Sequence, residues 1–244
     1  MRRVCIVQAR TTSTRLPGKV LMDVAGRPML TQQLKRLKQC RAIDDITVAT
    51  TLNDADDPIV ALARGEDVRW FRGSEYDVLS RYVGAARESS ADIAVRITSD
   101  CPLIDPEETD RVVLELESHT DKCDYAANTV ERTFPRGLDV EAFFRDTLER
   151  IGRVARSSPA REHVTFFLLQ ERPDLFLVRS VKDVQDNSDL RWTVDTPEDL
   201  VLIRQVYEDL DLGLRFMSYR TILAYVRQHP TLMAINAAVK QKQV

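Results

Sequence analysis

The feature that most constrains this chain is an apolar run near its start that turns abruptly into a basic, hydroxyl-rich loop. Residues 4–7 read Val-Cys-Ile-Val, which is typical of a short buried strand. The following residues include two arginines, one lysine and four hydroxyl side chains, and the pair Pro17-Gly18 indicates a turn. Ligands of open α/β sheets bind beyond the carboxyl ends of the strands. Such a loop can direct cationic side chains and backbone N–H groups at one polyanion, and a triphosphate is the natural candidate.

Strand-like and helix-like patterns alternate over the first half of the chain. Apolar runs at 4–7, 46–50, 68–71 and 93–97 are separated by segments with apolar residues at helical spacing. This alternation predicts an α/β fold with a Rossmann-like, mostly parallel sheet between two layers of helices. We expect one domain over residues 1–244.

The alternation lapses between residues 124 and 190. Within this segment the sequence predicts strands at 125–128, 138–143 and 175–178, and a helix from about residue 159. We interpret 124–190 as a small inserted subdomain that completes an acceptor pocket, contributes to a dimer, or does both. In the remainder, the sequence predicts a strand at 190–194. It also predicts a helix from Pro197 and further helices at 218–228 and 231–240.

Composition and charge narrow the class of protein. The net charge of the 244-residue chain is only −3, so an anion site must be local, and no basic surface for nucleic acid is expected. No apolar run approaches the length of a membrane span, and no secretory signal precedes the first strand. The four cysteines have no CxxC spacing, which argues against a zinc site. We therefore expect a cytoplasmic protein.

Two aspartates follow predicted strands at the same edge of the sheet as the basic loop. Asp100 comes directly after the strand at 93–97, and Asp195 follows the strand predicted at 190–194. Two carboxylates beside a triphosphate suggest Mg²⁺, which takes carboxylate, phosphate and water oxygens as ligands. The sequence therefore predicts metal-assisted attack at a phosphorus atom with pyrophosphate as leaving group.

Three motifs resemble known enzymes. The loop fits A-R-x-x-S-x-R-L-P-G-K, and Asp100-Cys101-Pro102-Leu103 and Asp195-Thr196-Pro197-Glu198-Asp199-Leu200 fit D-x-P-L and D-T-P-E-D-L. Together they resemble the CMP-sugar synthetases, above all the 3-deoxy-manno-octulosonate (KDO) cytidylyltransferases. Phe71-Arg72-Gly73-Ser74, Arg136-Gly137-Leu138-Asp139-Val140-Glu141 and Arg161-Glu162-His163-Val164 are most similar to the spore-coat-polysaccharide type of cytidylyltransferase.

The resemblance implies a fold similar to that of the nucleotide-diphospho-sugar transferases. It implies CTP as the donor, a sugar-type acceptor and a CMP-linked or CDP-linked product. It also implies a homodimer and a role in surface polysaccharide biosynthesis. It assigns Mg²⁺ to Asp100 and Asp195, and catalysis to Arg15, Lys19 and Asp100. The predicted nucleotide contacts are Gln8, Ala9, Arg10, Ser13, Arg15, Lys19 and, by its place at a strand end, Arg72. The candidate acceptor contacts are Arg136, Asp139, Glu141 and His163; His163 is also a candidate general base.

Two other functions stay open at this point. A nucleotide-sugar-dependent glycosyltransferase of the GT-A type would need a metal-binding DxD, and Asp54-Ala55-Asp56 fits those letters. A non-catalytic nucleotide-binding relative would keep the fold without the chemistry. The complete basic loop and both aspartates favour the nucleotidyltransferase.

Overall fold

A seven-stranded sheet forms the centre of the protein. The computed structural model describes residues 1–241. Its strands are β1 (Arg3–Gln8), β2 (Asp23–Val24), β3 (Arg27–Pro28), β4 (Asp45–Thr51), β5 (Arg69–Gly73), β6 (Ile93–Thr98), β7 (Tyr125–Ala127), β8 (Glu141–Phe144) and β9 (Val178–Ser180). The helices are α1 (Met29–Leu37), α2 (Asp57–Gly65), α3 (Val78–Glu88), α4 (Pro106–Glu117), α5 (Arg145–Val154), α6 (Ser158–Glu162), α7 (Pro197–Asp209), α8 (Tyr219–Gln228) and α9 (Pro230–Ile235).

The sheet is mostly parallel, as predicted. Its strand order is β5-β4-β1-β6-β8-β7-β9, and β2 and β3 form a separate small hairpin. Strands β5, β4, β1 and β6 pair in parallel, whereas β8 is antiparallel to both neighbours. The alternation of side chains along β1 explains the layers, since Cys5 and Val7 face one apolar cluster and Val4 and Ile6 face the other. Helices α1, α2 and α4 cover the first face, and α3 and α5 cover the second, so the three-layer α/β/α prediction is confirmed.

A third apolar cluster joins the carboxyl-terminal helices to the loops beside the sheet. Helices α7 and α8 pack there around Trp192, which is 1% exposed. This cluster also takes in Phe134 and Leu138, so it connects the irregular segment to the end of the chain.

The segment 124–190 contributes to the main sheet. Its strands β7, β8 and β9 extend the sheet beyond β6. The helix predicted from about residue 159 is wrong as a continuous element, because α6 ends at Glu162 and Val164 has a positive φ of 44° before a π-helical turn at Phe167–Glu171. The role of 124–190 in dimerisation stays a prediction.

Other predicted boundaries also need correction. The strand predicted at 190–194 is not part of the sheet and makes an isolated bridge, Arg136 to Arg191. The strand predicted at 175–178 begins only at Val178, and the last helix ends at Ile235. Among the helices formed by residues 1–241, none has the length and apolar character needed to cross a membrane.

Candidate active site

A cleft of about 280 Å³ lies at the carboxyl ends of β1 and β6. The basic loop, the end of β6 and the first turns of α3 line it. The structure thus brings together nine of the residues predicted from the sequence, namely Gln8, Ala9, Arg10, Ser13, Arg15, Lys19, Asp100, His163 and Asp195.

The basic loop is held in a closed turn by its own backbone and by a buried aspartate. The Gly18 N–H donates to the carbonyl oxygen of Thr11 at 2.8 Å, and Gly18 adopts a φ of 71°, a conformation that favours glycine. Thr11 donates from its N–H and hydroxyl to Asp56, at 2.8 and 2.7 Å. Asp56 is fully buried and also accepts from Thr51. The Asp54-Ala55-Asp56 motif therefore anchors the loop through Asp56, which disfavours the glycosyltransferase reading.

Lys19 joins the two predicted metal ligands at the floor of the cleft. Its Nζ lies 3.1 Å from Asp100 Oδ2, 2.9 Å from Asp195 Oδ1 and 2.7 Å from the carbonyl oxygen of Val194. Burial opposes the charged form of Lys19, but the two carboxylates outweigh it and raise the pKa of Lys19. Burial likewise disfavours the charged form of Asp100, and Lys19 overcomes it and lowers the pKa of Asp100. Lys19 and Asp100 therefore stay charged at neutral pH.

Backbone contacts bring the two aspartates side by side. The Val194 N–H donates to the Asp100 carbonyl oxygen at 2.8 Å, so the 190–194 segment lies against the end of β6. The loop at Gly137 approaches the same segment closely, which only glycine permits, because Gly137 has a φ of 105° and a Cβ there would lie 2.6 Å from the Thr193 nitrogen. Asp195 therefore directly follows a segment that contacts the backbone of Asp100 on one side and Gly137 on the other.

Two arginines also contact Asp195. Arg15 Nη2 and Arg191 Nη2 lie 2.9 and 2.8 Å from Asp195 Oδ2. Arg191 also donates from Nε to Asp199, which closes the capping box of α7 with Thr196. Sequence reasoning missed Arg191; its signal was a charged residue inside an apolar run four residues before the carboxylate it holds.

The donor set at this point suits a hard divalent cation. Asp100 and Asp195 present carboxylate oxygens to one shared position, and the ammonium of Lys19 stands there as a cation between them. Carboxylate oxygens are the protein ligands that Mg²⁺ prefers, and here they lie on two sides of the position that the Lys19 ammonium occupies. These residues therefore fit a magnesium ion, with phosphate and water oxygens as the remaining ligands.

A second cavity of about 640 Å³ opens beside the cleft. Arg96, Thr98 and His163 line both spaces. The predicted acceptor residues Asp139 and Glu141 line the second cavity, each paired with an arginine. Arg132 donates to both oxygens of Asp139 at 2.6 and 2.8 Å.

The ion pair between Arg96 and Glu141 lies between the cleft and the second cavity. Arg96 Nη1 donates to Glu141, and Arg96 Nη2 contacts Gln8 Oε1 at 3.3 Å in the cleft. Tyr125 adds a hydroxyl hydrogen bond to Glu141 at 2.8 Å. Glu141 is therefore fixed in place by two partners.

Two predicted site residues lie elsewhere. The Arg72 guanidinium donates to the carbonyl oxygens of Thr51 and Asn53 and to Asp57, at 2.7, 2.6 and 2.6 Å. All of these contacts are outside the cleft, so Arg72 supports the loop after β4. Among the described residues that line the two cavities, Arg136 does not appear. Its backbone instead pairs with Leu190 and Trp192.

Comparison with known proteins gives one consistent family. Residues 4–212 match the family described as cytidylyltransferase. The chain is 36% identical over 244 residues to the uncharacterised protein MJ1063 of Methanocaldococcus jannaschii, covering 99% of this chain and 97% of that protein. It is 32% identical over 211 residues to the spore coat polysaccharide biosynthesis protein SpsF of Bacillus subtilis, covering 83% and 85%.

A solved structure agrees with these sequence relatives. The structure of a cytidylyltransferase from Leptospira borgpetersenii superposes with a TM-score of 0.91 at 30% identity, over 100% of both chains. The resemblance predicted from the motifs is thereby confirmed.

Proposed function

The chain belongs to the cytidylyltransferase family, and from this premise we propose that it transfers the cytidylyl group of CTP to a sugar-type acceptor, with Mg²⁺, to give a CMP-sugar and pyrophosphate. The observation that carries the proposal is the Lys19 ammonium held between Asp100 and Asp195 at the floor of a basic cleft. We also propose a role in surface polysaccharide biosynthesis, a homodimer and a cytoplasmic location.

The donor side of the reaction needs negative charge to be neutralised around the triphosphate. Arg10, Ser13, Arg15 and Lys19 line the cleft and would hold the β- and γ-phosphates, whose charge increases as pyrophosphate leaves. Magnesium bound by Asp100 and Asp195 would supply further charge neutralisation at the phosphates. Protein nucleophiles are not needed, because positioning and charge account for most of the catalysis in such transfers.

The acceptor side would be the 640 Å³ cavity. An acceptor hydroxyl placed there could attack the α-phosphorus across the opening that the two spaces share. His163 lines both spaces and would take the proton of the attacking hydroxyl. The Arg132–Asp139 and Arg96–Glu141 pairs offer donors and acceptors for sugar hydroxyls.

The donor can be tested without knowing the acceptor. We expect thermal unfolding to shift upward with CTP and Mg²⁺, and less with UTP, ATP or GTP. A ligand at about 100 times its Kd stabilises the native state by roughly 2.7 kcal/mol, which corresponds to about 5–10 °C in a chain of this size. Asp100→Asn and Asp195→Asn should remove the magnesium dependence of the shift, whereas Asp174→Asn, an exposed surface residue, should keep it.

Two outcomes would contradict the proposal. Stabilisation by a nucleoside diphosphate sugar and by none of the triphosphates would indicate a glycosyltransferase. An unchanged magnesium dependence in both aspartate variants would show that the metal is held elsewhere.

A further inference from the structure

The charges on the wall of the second cavity cancel in pairs. Among the described residues that line this cavity, the carboxylates are Asp139 and Glu141, and the guanidinium groups are Arg96 and Arg132. Arg132 donates from both terminal nitrogens to the two oxygens of Asp139, at 2.6 and 2.8 Å. Arg96 donates from Nη1 to Glu141. These four side chains therefore contribute no net charge to the wall.

The terminal nitrogens of both arginines are already engaged. Arg96 Nη2 contacts Gln8 Oε1 at 3.3 Å, and Arg96 Nε is enclosed by the protein, so that it cannot be reached from the cavity. Burial opposes the charged forms of Arg96 and Arg132, but the facing carboxylates outweigh it and raise the pKa of each guanidinium. An acidic group of a ligand would therefore compete with a carboxylate of the protein for either arginine.

That competition disfavours an ionised group in the cavity. The Glu141 side chain is 8% exposed and also accepts a hydrogen bond from the Tyr125 hydroxyl at 2.8 Å. A ligand carboxylate that bound Arg96 would leave Glu141 buried without its cation and beside a second negative charge, which is strongly unfavourable. The same argument applies at Asp139, because both of its oxygens accept from Arg132.

The rest of the wall suits an uncharged sugar. Thr129, Thr165 and Gln170 line the cavity and offer hydroxyl and amide groups that can bind sugar hydroxyls. Phe166 adds apolar surface against which the C–H face of a sugar ring can pack. His163 also lines the cavity, and it is neutral when the acceptor binds, since it acts as a base in the proposed reaction.

We propose that the acceptor is an uncharged sugar, without a carboxylate or a phosphate, whose hydroxyl group attacks CTP. This inference rests on the proposed function and names the chemical class of its acceptor. The hydroxyl oxygen forms a bond to the α-phosphorus, the bond from that phosphorus to the pyrophosphate oxygen breaks, and the hydroxyl proton passes to His163. The product is then a CMP-sugar whose only negative charge lies on its phosphodiester group.

The test uses three pairs of sugars that carry either a hydroxymethyl or a carboxylate group at the same carbon. The pairs are glucose and glucuronate, galactose and galacturonate, and mannose and mannuronate. Calorimetry measures their binding in the presence of CTP without a metal ion, and pyrophosphate release is measured separately with CTP and Mg²⁺.

The variants Asp139→Asn and Glu141→Gln keep the size of each side chain and remove its charge, so that each frees one arginine for a ligand. Asp44→Asn is the matched control. Asp44 also accepts from two nitrogens of one arginine, Arg3, but it lies at the other end of the sheet from the cleft.

The wild type should bind no uronate more tightly than its neutral partner. A freed arginine forms charge-assisted hydrogen bonds to a carboxylate, so each cavity variant should improve binding of at least one uronate relative to its neutral partner by about 10-fold or more. Asp44→Asn should match the wild type. If Glu141→Gln does not fold, Asp139→Asn decides alone, because the Asp139 side chain is 33% exposed and less critical to the core.

Three results would overturn the inference. The first is a wild type that binds a uronate more tightly than the matching neutral sugar. The second is pyrophosphate release with an acidic sugar and not with its neutral partner. The third is a folded Asp139→Asn protein that gains no affinity for any uronate, which would show that the ion pairs do not set the charge of the acceptor. A wild type that does not bind CTP would instead refute the proposed function, which keeps the two failures distinct.

Discussion

At the scale of single residues, Lys19 neutralises negative charge in two different states of the protein. It stabilises two acidic side chains in the free protein, and in the proposed reaction it faces a triphosphate. A metal ion and the ammonium would both neutralise Asp100 and Asp195, so the two cations are partly interchangeable in their effect on stability. This exchange can be measured without substrate.

The first prediction concerns Lys19→Ala. Removing the ammonium leaves two adjacent carboxylates, so we expect a loss of roughly 1–3 kcal/mol in the free energy of unfolding without added metal. Added Mg²⁺ should restore more stability to this variant than to the wild type, because the ion no longer competes with the lysine. Chemical denaturation across a titration of Mg²⁺ measures both effects.

Lys38→Ala is the control for this experiment, since Lys38 pairs at the surface with Glu66. The magnesium response of this variant should equal that of the wild type. Equal responses in Lys19→Ala and the wild type would mean that Asp100 and Asp195 do not form the metal site.

Residue roles could be predicted from the sequence where they depend on a local motif, and not where they depend on contacts distant in the chain. The basic loop and Asp100 follow strands directly, so their position at the sheet edge could be inferred. Arg191 carries no motif of its own, and its role emerges only from its burial and its partners. Arg72 has the sequence position of a cleft residue, but three acceptors outside the cleft bind its guanidinium.

At the scale of elements, the site depends on how closely two loop segments approach. Gly137 lies against the backbone of Trp192 and Thr193, which leads directly into Asp195. The second prediction is that Gly137→Ala destabilises the protein by about 2–4 kcal/mol, since the new methyl group meets backbone atoms and the φ is unfavourable. The midpoint of thermal unfolding should fall by roughly 5–15 °C.

Gly65→Ala provides the matched control. Gly65 ends α2, a Cβ there meets no atom within 4 Å, and its φ is not positive. This variant should be neutral or slightly more stable, because alanine favours helix. A small effect of Gly137→Ala would show that the two segments can separate without cost.

The start of α7 is the second element that shapes the site. Arg191 spans Asp195 and Asp199, so it couples the cap of this helix to a proposed metal ligand. The third prediction is that Arg191→Lys raises the Mg²⁺ concentration needed for half of the CTP-induced thermal shift by about 10-fold or more, as for other residues that orient metal ligands. A lysine has one ammonium and cannot reproduce the fork.

Arg204→Lys, on the same helix, should leave that concentration unchanged because its contact is to the backbone of Asp23. If Arg191→Lys lowers the melting temperature and leaves the magnesium midpoint as it was, Arg191 has a structural role alone.

The regular half of the fold could be predicted because its strands alternate with helices and pair in parallel, with β6 crossing over to pair with β1 rather than with β5. In the irregular half the sequence predicts the approximate positions of β7 and β8 but not how they pair, because these strands are only three or four residues long and their pairing is set by tertiary contacts. The run at 190–194 is apolar enough for a strand, yet its neighbours are the Arg136–Gly137 loop and the backbone of Asp100. Burial in the third cluster, rather than sheet pairing, explains its composition.

At the scale of the whole molecule, the carboxyl-terminal helices are joined to the loops beside the sheet by polar contacts as well as by the third apolar cluster. Asp183 accepts a hydrogen bond from the Tyr219 hydroxyl at 2.7 Å and pairs with Arg220 at 2.6 Å. Both partners begin α8, so one buried carboxylate connects the 180s loop to the end of the chain. This connection depends on charge and therefore on pH.

The fourth prediction follows from the ionisation of Asp183. Burial disfavours its charged form, but the hydrogen bonds from Arg220 and Tyr219 outweigh this and lower the pKa of Asp183 below its ordinary value. A carboxyl group with a lowered folded-state pKa stabilises the protein above its unfolded pKa of about 3.9, and this contribution is lost as the pH falls through the folded value. Asp183→Asn should therefore cost roughly 1–3 kcal/mol at pH 7, and the difference from the wild type should shrink as the pH falls below the unfolded pKa of about 3.9 and through the lower folded one.

Urea unfolding of both proteins across that range measures the difference directly, and Asp174→Asn is the control because its ion pair with Arg172 is at the surface and screened by solvent. A difference between Asp183→Asn and the wild type that stays constant with pH would mean that the aspartate acts through shape and hydrogen bonding alone. A difference that vanishes in acid would instead show that a charged contact holds α8 against the loop that carries Asp183.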